Sequence, residues 1–384
     1  MRSPRVAMIL ALVAGCAEAP PPPPAAPPPP FLPSAAPPAP APPAPPPTVA
    51  PTAAEVTPPP EPAPAPSPPP RLSRGTGTPA DLALAAGDTA FASGDFAAAE
   101  KAYQKAAKLD AKDPAAIVGQ VRARAAKAGL PSEYNSAPRD ARLTAMVRDL
   151  ERASKLDDTF APAHLELGRA LLVMGKADQA RSALERAVRL AAGDAEAHSA
   201  LGVAHLAGGR LADATRELAR AAELAPGDAE RQTNLGTALL AGGKTDEAIR
   251  AYEKAVRLAP GDARTQNDLG TALLARNEVA RAIPHLEAAV SRDPSRATYR
   301  QNLGYAHHIK GDLDKAMSHY REALKLDARL ASAWINLGNA HAQKGSYEEA
   351  RDAYKKAQAI DPSDPRVKAV MQELDALEKK GKGP

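Results

Sequence analysis

The 384-residue chain has few of the residues that cross-link a fold or build a catalytic site. It contains one cysteine, Cys16, which excludes an internal disulfide, and its aromatic content is 3%. Its 49 basic and 45 acidic side chains nearly cancel, so a focused positive field for nucleic acid is not expected. The nucleotide-binding, metalloprotease and hydrolase motifs are missing. We therefore expect no enzyme activity, no cofactor, no metal site and no small-molecule substrate.

The apolar run at the start of the chain is too short to cross a membrane. Eight uncharged residues, Val6–Val13, follow a basic head, whereas a spanning helix needs about 20 apolar residues. A basic head, a short apolar stretch and small residues before Cys16 predict a signal peptide over residues 1–15. The sequence VAGC ending at Cys16 resembles the bacterial lipobox, which implies that Cys16 carries a diacylglycerol and becomes the acylated N-terminus.

The lipobox resemblance implies a protein held in the bacterial cell envelope by lipid. Each buried methylene contributes about 0.8 kcal/mol, so two or three acyl chains anchor a protein almost permanently. In lipoproteins an aspartate after the cysteine favours inner-membrane retention. Here Ala17 follows it, so we expect the outer membrane, facing the periplasm. The alternative is an ordinary cleaved signal in which Cys16 is only a small apolar residue.

Residues 16–79 are dominated by proline and alanine. Of the 41 prolines in the chain, 30 precede residue 80. Proline fixes φ and removes a backbone donor, so this stretch cannot build a helix or a sheet and favours solvated polyproline II. We expect a disordered tether, which could reach roughly 190 Å at about 3.1 Å per residue. The alternative is a ligand for proline-recognising modules.

The rest of the chain repeats itself at a constant spacing. Six Leu-Gly pairs begin at Leu167, Leu201, Leu235, Leu269, Leu303 and Leu337. Alanine recurs at two fixed distances after each of these glycines, as at Ala248 and Ala255 after Gly236, and a leucine or tyrosine lies between the two alanines. This pattern resembles the tetratricopeptide repeat (TPR) family, whose period is about 34 residues.

The TPR resemblance implies an all-α fold, a right-handed α-solenoid of helix-turn-helix units. Eight repeats are predicted over 80–364, namely 80–113, 114–160, 161–194, 195–228, 229–262, 263–296, 297–330 and 331–364. The second repeat is longer than the others, and its turn-forming stretch 129–141 predicts an insertion between its two helices. Residues 365–384 are predicted to form a capping helix and tail, which covers the last apolar face.

In TPR proteins the first helix of each unit lines a concave groove, and the resemblance assigns repeat positions 2, 5, 9, 12 and 13 to that surface. Here these positions form an apolar stripe with a polar, amide-rich C-terminal half and two arginines near the start. The predicted partner-binding residues are Arg122, Arg169, Thr237, Thr271, Gln301, Tyr305, His308 and Asn339. Such a lining suits a peptide segment. The arginines are candidates to hold an acidic segment, and the alternative is a solvated spacer.

Two other interpretations of the repeats compete with a binding groove. The eight histidines are candidate metal ligands, but His205, His307 and His341 share one repeat position that usually packs between helices. We therefore predict packed histidines and no metal. A catalytic protein would instead place a polar cluster in the insertion, at Glu133, Tyr134 and Asn135.

Together these features predict a non-catalytic scaffold that is anchored by lipid and recruits an envelope protein or peptide. The plan resembles that of repeat lipoproteins in pilus-secretin assembly and gliding motility. An adaptor that docks envelope enzymes such as murein hydrolases is the alternative.

Overall fold

The computed structural model describes residues 71–131 and 134–381. The regular secondary structure of this part of the chain is entirely α-helical, without strands. The predicted signal peptide, Cys16, most of the tether and Glu133 lie outside the described residues. The helices are Pro79–Ala92 (α1), Phe96–Leu109 (α2), Pro114–Lys127 (α3), Ala141–Leu156 (α4), Ala161–Val173 (α5), Ala177–Leu190 (α6), Ala195–Ala207 (α7), Leu211–Leu224 (α8), Ala229–Ala241 (α9), Thr245–Leu258 (α10), Ala263–Ala275 (α11), Val279–Arg292 (α12), Ala297–Lys310 (α13), Leu313–Leu326 (α14), Ala331–Gln343 (α15), Tyr347–Ile360 (α16) and Pro365–Gly381 (α17).

The first sixteen helices form eight antiparallel pairs, which we number from α1–α2 to α15–α16. Several first helices begin at an aspartate whose carboxylate accepts backbone N–H groups of the first turn, as at Asp194 and Asp228. The turn inside a pair needs a residue with left-handed φ, and glycine supplies it at little steric cost. In pair six the same turn is made by Asn277, with φ 62°.

The pairs stack along the chain into a solenoid. Each helix packs against the next, and the first helices of successive pairs also contact one another. Second helices of successive pairs show no comparable contacts in the described part of the chain. The first helices therefore line one side of the stack, which we call the inner face.

Small residues and one large residue per pair build the core of the stack. In pair five Ala248, Ala255 and Tyr252 are completely buried. Gly236 on α9 lies against the Tyr252 ring, where a Cβ atom would come within 2.7 Å of Cε1. The predicted all-α solenoid of helix-turn-helix repeats is confirmed.

The long connection between α3 and α4 folds back onto the next pair. Backbone N–H groups of Asn135 and Ala137 donate to the carbonyls of Leu172 and Val173, at 2.9 and 3.2 Å, at the end of α5. The Tyr134 hydroxyl donates to the carbonyl oxygen of Gly175 at 3.3 Å. Two residues of the candidate catalytic cluster thus hold the insertion on its neighbour.

The final helix packs on the last pair. Val367 and Leu374 of α17 are buried against α15 and α16. Arg351 on α16 pairs with Asp375 at 2.7 Å. No helix among the described residues combines the length and the apolar character that a bilayer crossing demands.

Candidate interaction surface

A chain of ion pairs runs along the inner face from pair two to pair five. Arg122 Nε lies 2.7 Å from Glu166 Oε1, and Arg169 Nη1 lies 3.4 Å from Glu196 Oε1. Arg231 also pairs with Glu196. Burial by itself would raise the pKa of Glu166, but Arg122 and Arg169 outweigh it and hold that pKa below its ordinary value. The two arginines proposed for an acidic segment are thus paired with glutamates of the same face.

From pair four onward, uncharged side chains on successive first helices hydrogen-bond to one another or to Arg231. We call this series the polar row. Its contacts are Arg231 Nη1 to Ser199 Oγ (3.2 Å), Thr233 Oγ1 to Thr265 Oγ1 (2.9 Å), Asn302 Nδ2 to Asn267 Oδ1 (2.8 Å) and Ser332 Oγ to Gln301 Oε1 (2.6 Å). The row joins one pair to the next, because each bond has its partners on neighbouring first helices.

Asp268, on α11 beside the polar row, is a buried carboxylate. It accepts from Asn267 Nδ2 at 3.2 Å, and its Oδ2 lies 3.8 Å from Arg264 Nε. Burial raises the pKa of Asp268 to about 6, although Arg264 opposes this shift. The Asp268 carboxylate is therefore packed within the inner face and is not accessible on its surface.

Position nine of several repeats accepts a hydrogen bond from the buried tyrosine on the second helix of the same pair. The bonds are Tyr103 to Asp88 (3.0 Å), Tyr252 to Thr237 (3.1 Å) and Tyr354 to Asn339 (2.8 Å). Thr237 and Asn339, two of the predicted groove residues, thus also hold the tyrosine of their own pair. The constant spacing between a polar residue at position nine and the following tyrosine was the signal that could have revealed it.

The structure divides the predicted groove residues into two groups. Arg122, Thr271 and Gln301 are buried, and Thr271 donates to the Asp268 carbonyl oxygen at 2.9 Å. The half-buried members are Arg169, Thr237, Tyr305, His308 and Asn339. Only this second group offers surface to a partner.

Tyr305 and His308 lie near the end of α13, where Ile309 is 37% exposed. The Tyr320 hydroxyl and His308 Nδ1 are 3.4 Å apart, and burial lowers the pKa of His308. An aromatic ring, an imidazole that favours its neutral form and an exposed aliphatic side chain thus share one helix end. This helix end is an accessible apolar part of the inner face.

Histidines at repeat position four hold the turns between pairs. His164 Nε2 lies 3.1 Å from the Asp158 carbonyl oxygen, and His198 Nε2 lies 3.0 Å from that of Ala192. Trp334 Nε1 donates to the Ala328 carbonyl oxygen in the same way, at 3.0 Å. Among residues 71–131 and 134–381, no three histidine, cysteine, aspartate or glutamate side chains are grouped to hold a metal ion.

Residues 72–74, at the end of the predicted tether, contact α1 on the inner face of pair one. The backbone N–H groups of Leu72 and Ser73 each donate to Asp88 Oδ2 at 2.9 Å. The backbone N–H of Arg74 donates to Asp81 Oδ1 at 2.6 Å. This segment has no repeat periodicity, so the repeat pattern carried no information about it.

Sequence models described as tetratricopeptide repeat match residues 80–113, 165–229, 233–283, 267–331 and 308–374. These matches together span more than half of the chain; they cover pair one and pairs three to eight, and the last match extends into α17. The chain belongs to the tetratricopeptide repeat family. No curated protein sequence matches the TPR chain.

Solved structures share the TPR fold at low sequence identity. The APC/C hetero-tetramer Cut9–Hcn1 aligns with a TM-score of 0.57 and 18% identity, over 78% of this chain and 57% of that chain. This TPR chain therefore spans little more than half the length of that protein. YrrB, a TPR protein with an unusual peptide-binding site, aligns at 24% identity with a TM-score of 0.41, over 50% of this chain and 99% of that chain. PilF of Pseudomonas aeruginosa aligns at 19% identity with a TM-score of 0.48, over 56% and 98%.

TPR arrays serve as scaffolds for protein–protein interaction and are typically non-catalytic. Stacked units present a long continuous surface, and each unit contributes side chains from its first helix. In this TPR protein the buried part of that surface is bonded internally. The half-exposed predicted groove residues therefore project from an inner face whose buried side chains are held together by the ion pairs and the polar row.

Proposed function

We propose that this TPR protein is a non-catalytic scaffold that holds a protein or peptide partner on its inner face and is anchored to the bacterial envelope through a lipid on Cys16. The observation that carries the binding role is the cluster at the end of α13, where Tyr305, His308 and the exposed Ile309 lie together. Aromatic and aliphatic side chains that a helix already holds in place favour tight peptide binding, because these side chains lose little conformational entropy when the peptide binds.

The charges of the inner face favour a partner segment that is not strongly acidic. Arg122 and Arg169 are matched by Glu166 and Glu196, so no excess positive charge remains for an acidic peptide at pairs two to four. At pair seven the accessible groups are a phenol, an imidazole and an aliphatic chain. A segment with apolar side chains, whose main chain hydrogen-bonds to amides such as Asn339, suits this surface.

The anchoring part of the proposal rests on the sequence. The lipobox-like VAGC ending at Cys16 supplies the lipidation site, and the proline-rich stretch supplies a spacer between membrane and array. We propose that the recruited partner belongs to a pilus, secretion or motility complex of the envelope. The alternative is an adaptor that docks envelope enzymes such as murein hydrolases.

Site-specific cross-linking tests the binding role. A photo-reactive residue replaces Ile309 in the full chain, and detergent-solubilised envelopes are irradiated and analysed for cross-linked partners. A photo-reactive residue at Leu326, 46% exposed on the second helix α14, serves as the matched control. We expect secretin, secretion or motility subunits from position 309 and not from position 326. Murein hydrolases at 309 would support the adaptor, and equal capture from both positions would refute binding on the inner face.

A further inference from the structure

The stretch Leu72-Ser73-Arg74 contacts the inner face in the manner of a bound peptide. Leu72 is 1% exposed and joins the apolar core that includes Leu84 of α1. The Asp88 carboxylate accepts the backbone N–H groups of Leu72 and Ser73 and the Ser73 hydroxyl, each at 2.9 Å. Charge-assisted bonds of this kind are stronger than bonds between neutral groups. The main chain is therefore recognised together with one apolar side chain.

The Arg74 side chain extends from pair one towards pairs two and three. Its guanidinium nitrogens Nη1 and Nη2 lie 3.2 and 3.1 Å from the carboxylate of Asp113, the residue before α3. The guanidinium carbon also lies 5.2 Å from the ring centroid of Phe160, the residue before α5. A segment that only covered the free end of the solenoid would point away from these helices. The main chain of the stretch instead lies on α1, and the Arg74 guanidinium reaches the residues that precede α3 and α5.

A short glycine-containing link separates this stretch from α1. Gly75 and Gly77 both have left-handed φ, 72° and 71°, and a Cβ atom on either would meet nothing within 4 Å. Thr78 then caps α1 by accepting from the Asp81 N–H at 3.2 Å. Residues 72–74 supply the contacts with Asp88, Asp113 and Phe160, and the Gly77 N–H also donates to Asp81 Oδ2 at 3.3 Å. A separate chain with the sequence of residues 71–78 therefore has the groups needed to make these contacts.

We propose that Leu72-Ser73-Arg74 is an intramolecular ligand, and that the site formed by Asp81, Asp88 and Asp113 binds a partner segment with an apolar residue two positions before an arginine once the stretch is displaced. Asp81 and Asp88 recognise the main chain, whereas Asp113 and Phe160 recognise the guanidinium. The partner is thus a linear, basic peptide segment, and the chain's own copy keeps the site closed until that partner competes.

This inference rests on the proposed function in taking the inner face as a peptide-binding surface, but it concerns another part of that face. The site lies in pairs one to three, whereas the cross-linking test probes pair seven. A negative peptide assay leaves the result at Ile309 unaffected, and failed cross-linking at Ile309 leaves this assay unaffected. The two failures are therefore distinguishable.

The test is peptide binding in trans to the full chain. A fluorescently labelled peptide RLSRGTGT, the sequence of residues 71–78, is titrated by anisotropy into the parent and into the double variant Leu72→Asp, Arg74→Glu. We expect binding to the double variant at least tenfold tighter than to the parent. The single variant Arg71→Glu, at an exposed position, should behave like the parent. A peptide carrying Arg74→Glu should bind at least tenfold more weakly than the unmodified peptide.

The site itself is tested by adding Asp88→Asn to the double variant. Asparagine keeps an oxygen for the Tyr103 hydroxyl but cannot accept the three donors of the peptide, so binding should fall at least tenfold. Equal binding to the parent and the double variant, or no binding to either, overturns the proposal and leaves residues 72–74 as part of the fold. Should the double variant lose helicity, Arg74→Ala decides, because the Arg74 side chain is 45% exposed and its loss leaves the core unchanged. The peptide must bind that variant more tightly than the parent, and equal binding again overturns the proposal.

Discussion

Arg122 and Glu166 form an ion pair of 2.7 Å that joins α3 to α5 on the inner face, with both side chains largely removed from water. Removing Arg122 leaves the buried Glu166 carboxylate with only Arg169, at 4.0 Å, and loss of one partner of a buried ion pair typically destabilises a protein by about 3 kcal/mol or more. We therefore expect Arg122→Met to lower the urea midpoint of unfolding strongly, as measured by circular dichroism. The loss should grow as the pH rises, because burial opposes ionisation of the Glu166 carboxylate once Arg122 is removed.

The double variant Arg122→Met, Glu166→Leu is the control for this ion pair. Replacing both charges with apolar side chains of similar size removes the uncompensated group, so we expect most of the lost stability to return. A single variant as stable as the parent would show that the pair contributes little. Recovery in the double variant would establish the pair as structural, which argues against Arg122 as a contact for an acidic partner.

Asp268 predicts a pH dependence of stability that can be isolated by one substitution. Burial raises its pKa from 3.8 to about 6 in the folded chain, so between these pH values the folded state binds a proton that the unfolded state has lost. Its contribution therefore falls as the pH rises through this window. We expect Asp268→Asn, which cannot ionise, to be more stable than the parent at pH 7, by on the order of 3 kcal/mol, and to lose this advantage near pH 4.

The comparison is made by urea unfolding at pH 4, 5, 6 and 7, with the difference between variant and parent as the measured quantity. Histidines titrate in both proteins, so their effect cancels in that difference. Asp352→Asn, which removes an exposed carboxylate on α16, is the matched control and should show no comparable trend. A constant difference between Asp268→Asn and the parent across this range would contradict the assignment.

The contacts that could be predicted from the sequence are those that every pair must make. Gly236, Ala248 and Ala255 mark the places where helices approach most closely, and the same restriction applies in each unit. Small residues therefore recur at these positions with the period of the repeat, and the sequence shows them directly. The burial of Tyr252 between these small residues follows from the same pattern.

The polar row could not be predicted, because its chemistry changes from one pair to the next. Thr233 bonds to Thr265, whereas Asn302 bonds to Asn267, so no single pair of residue types recurs along the row. Positions assigned to the groove by family resemblance also differ in exposure. Gln301 is 2% exposed and accepts a hydrogen bond from Ser332 on the next first helix, and that contact is a property of the stack, not of one repeat.

The lipid proposal predicts where the protein is found after cell fractionation. We expect the parent to sediment with membranes and Cys16→Ser to move to the soluble fraction, because serine lacks the thiolate to which the diacylglycerol is attached. Fractions are separated by ultracentrifugation after a high-salt wash and detected by immunoblot. Ala17→Ser, which leaves the cysteine in place, is the control and should remain with the membranes. Sedimentation of Cys16→Ser with the membranes would refute lipid anchoring.

The closest helix approach in pair five predicts a large effect for a small substitution. A Cβ atom at Gly236 would lie 2.7 Å from Tyr252 Cε1, and that ring is completely buried with its hydroxyl bonded to Thr237 at 3.1 Å. The ring cannot move aside without losing this bond. We expect Gly236→Val to destabilise the array by about 2 kcal/mol, since overpacking costs about 1–3 kcal/mol and exceeds the gain from removing a helical glycine.

Gly193→Val is the matched control, because this glycine lies in the turn between pairs three and four and a Cβ atom there meets nothing within 4 Å. Its urea midpoint should stay close to that of the parent, while that of Gly236→Val falls. Gly236→Ala should lie between them, because it introduces the clashing atom but not the two methyl groups. If valine at position 236 were tolerated as well as at 193, the α9 and α10 backbones would have to separate readily. The regular spacing of small residues along the repeats would then require an explanation other than close packing.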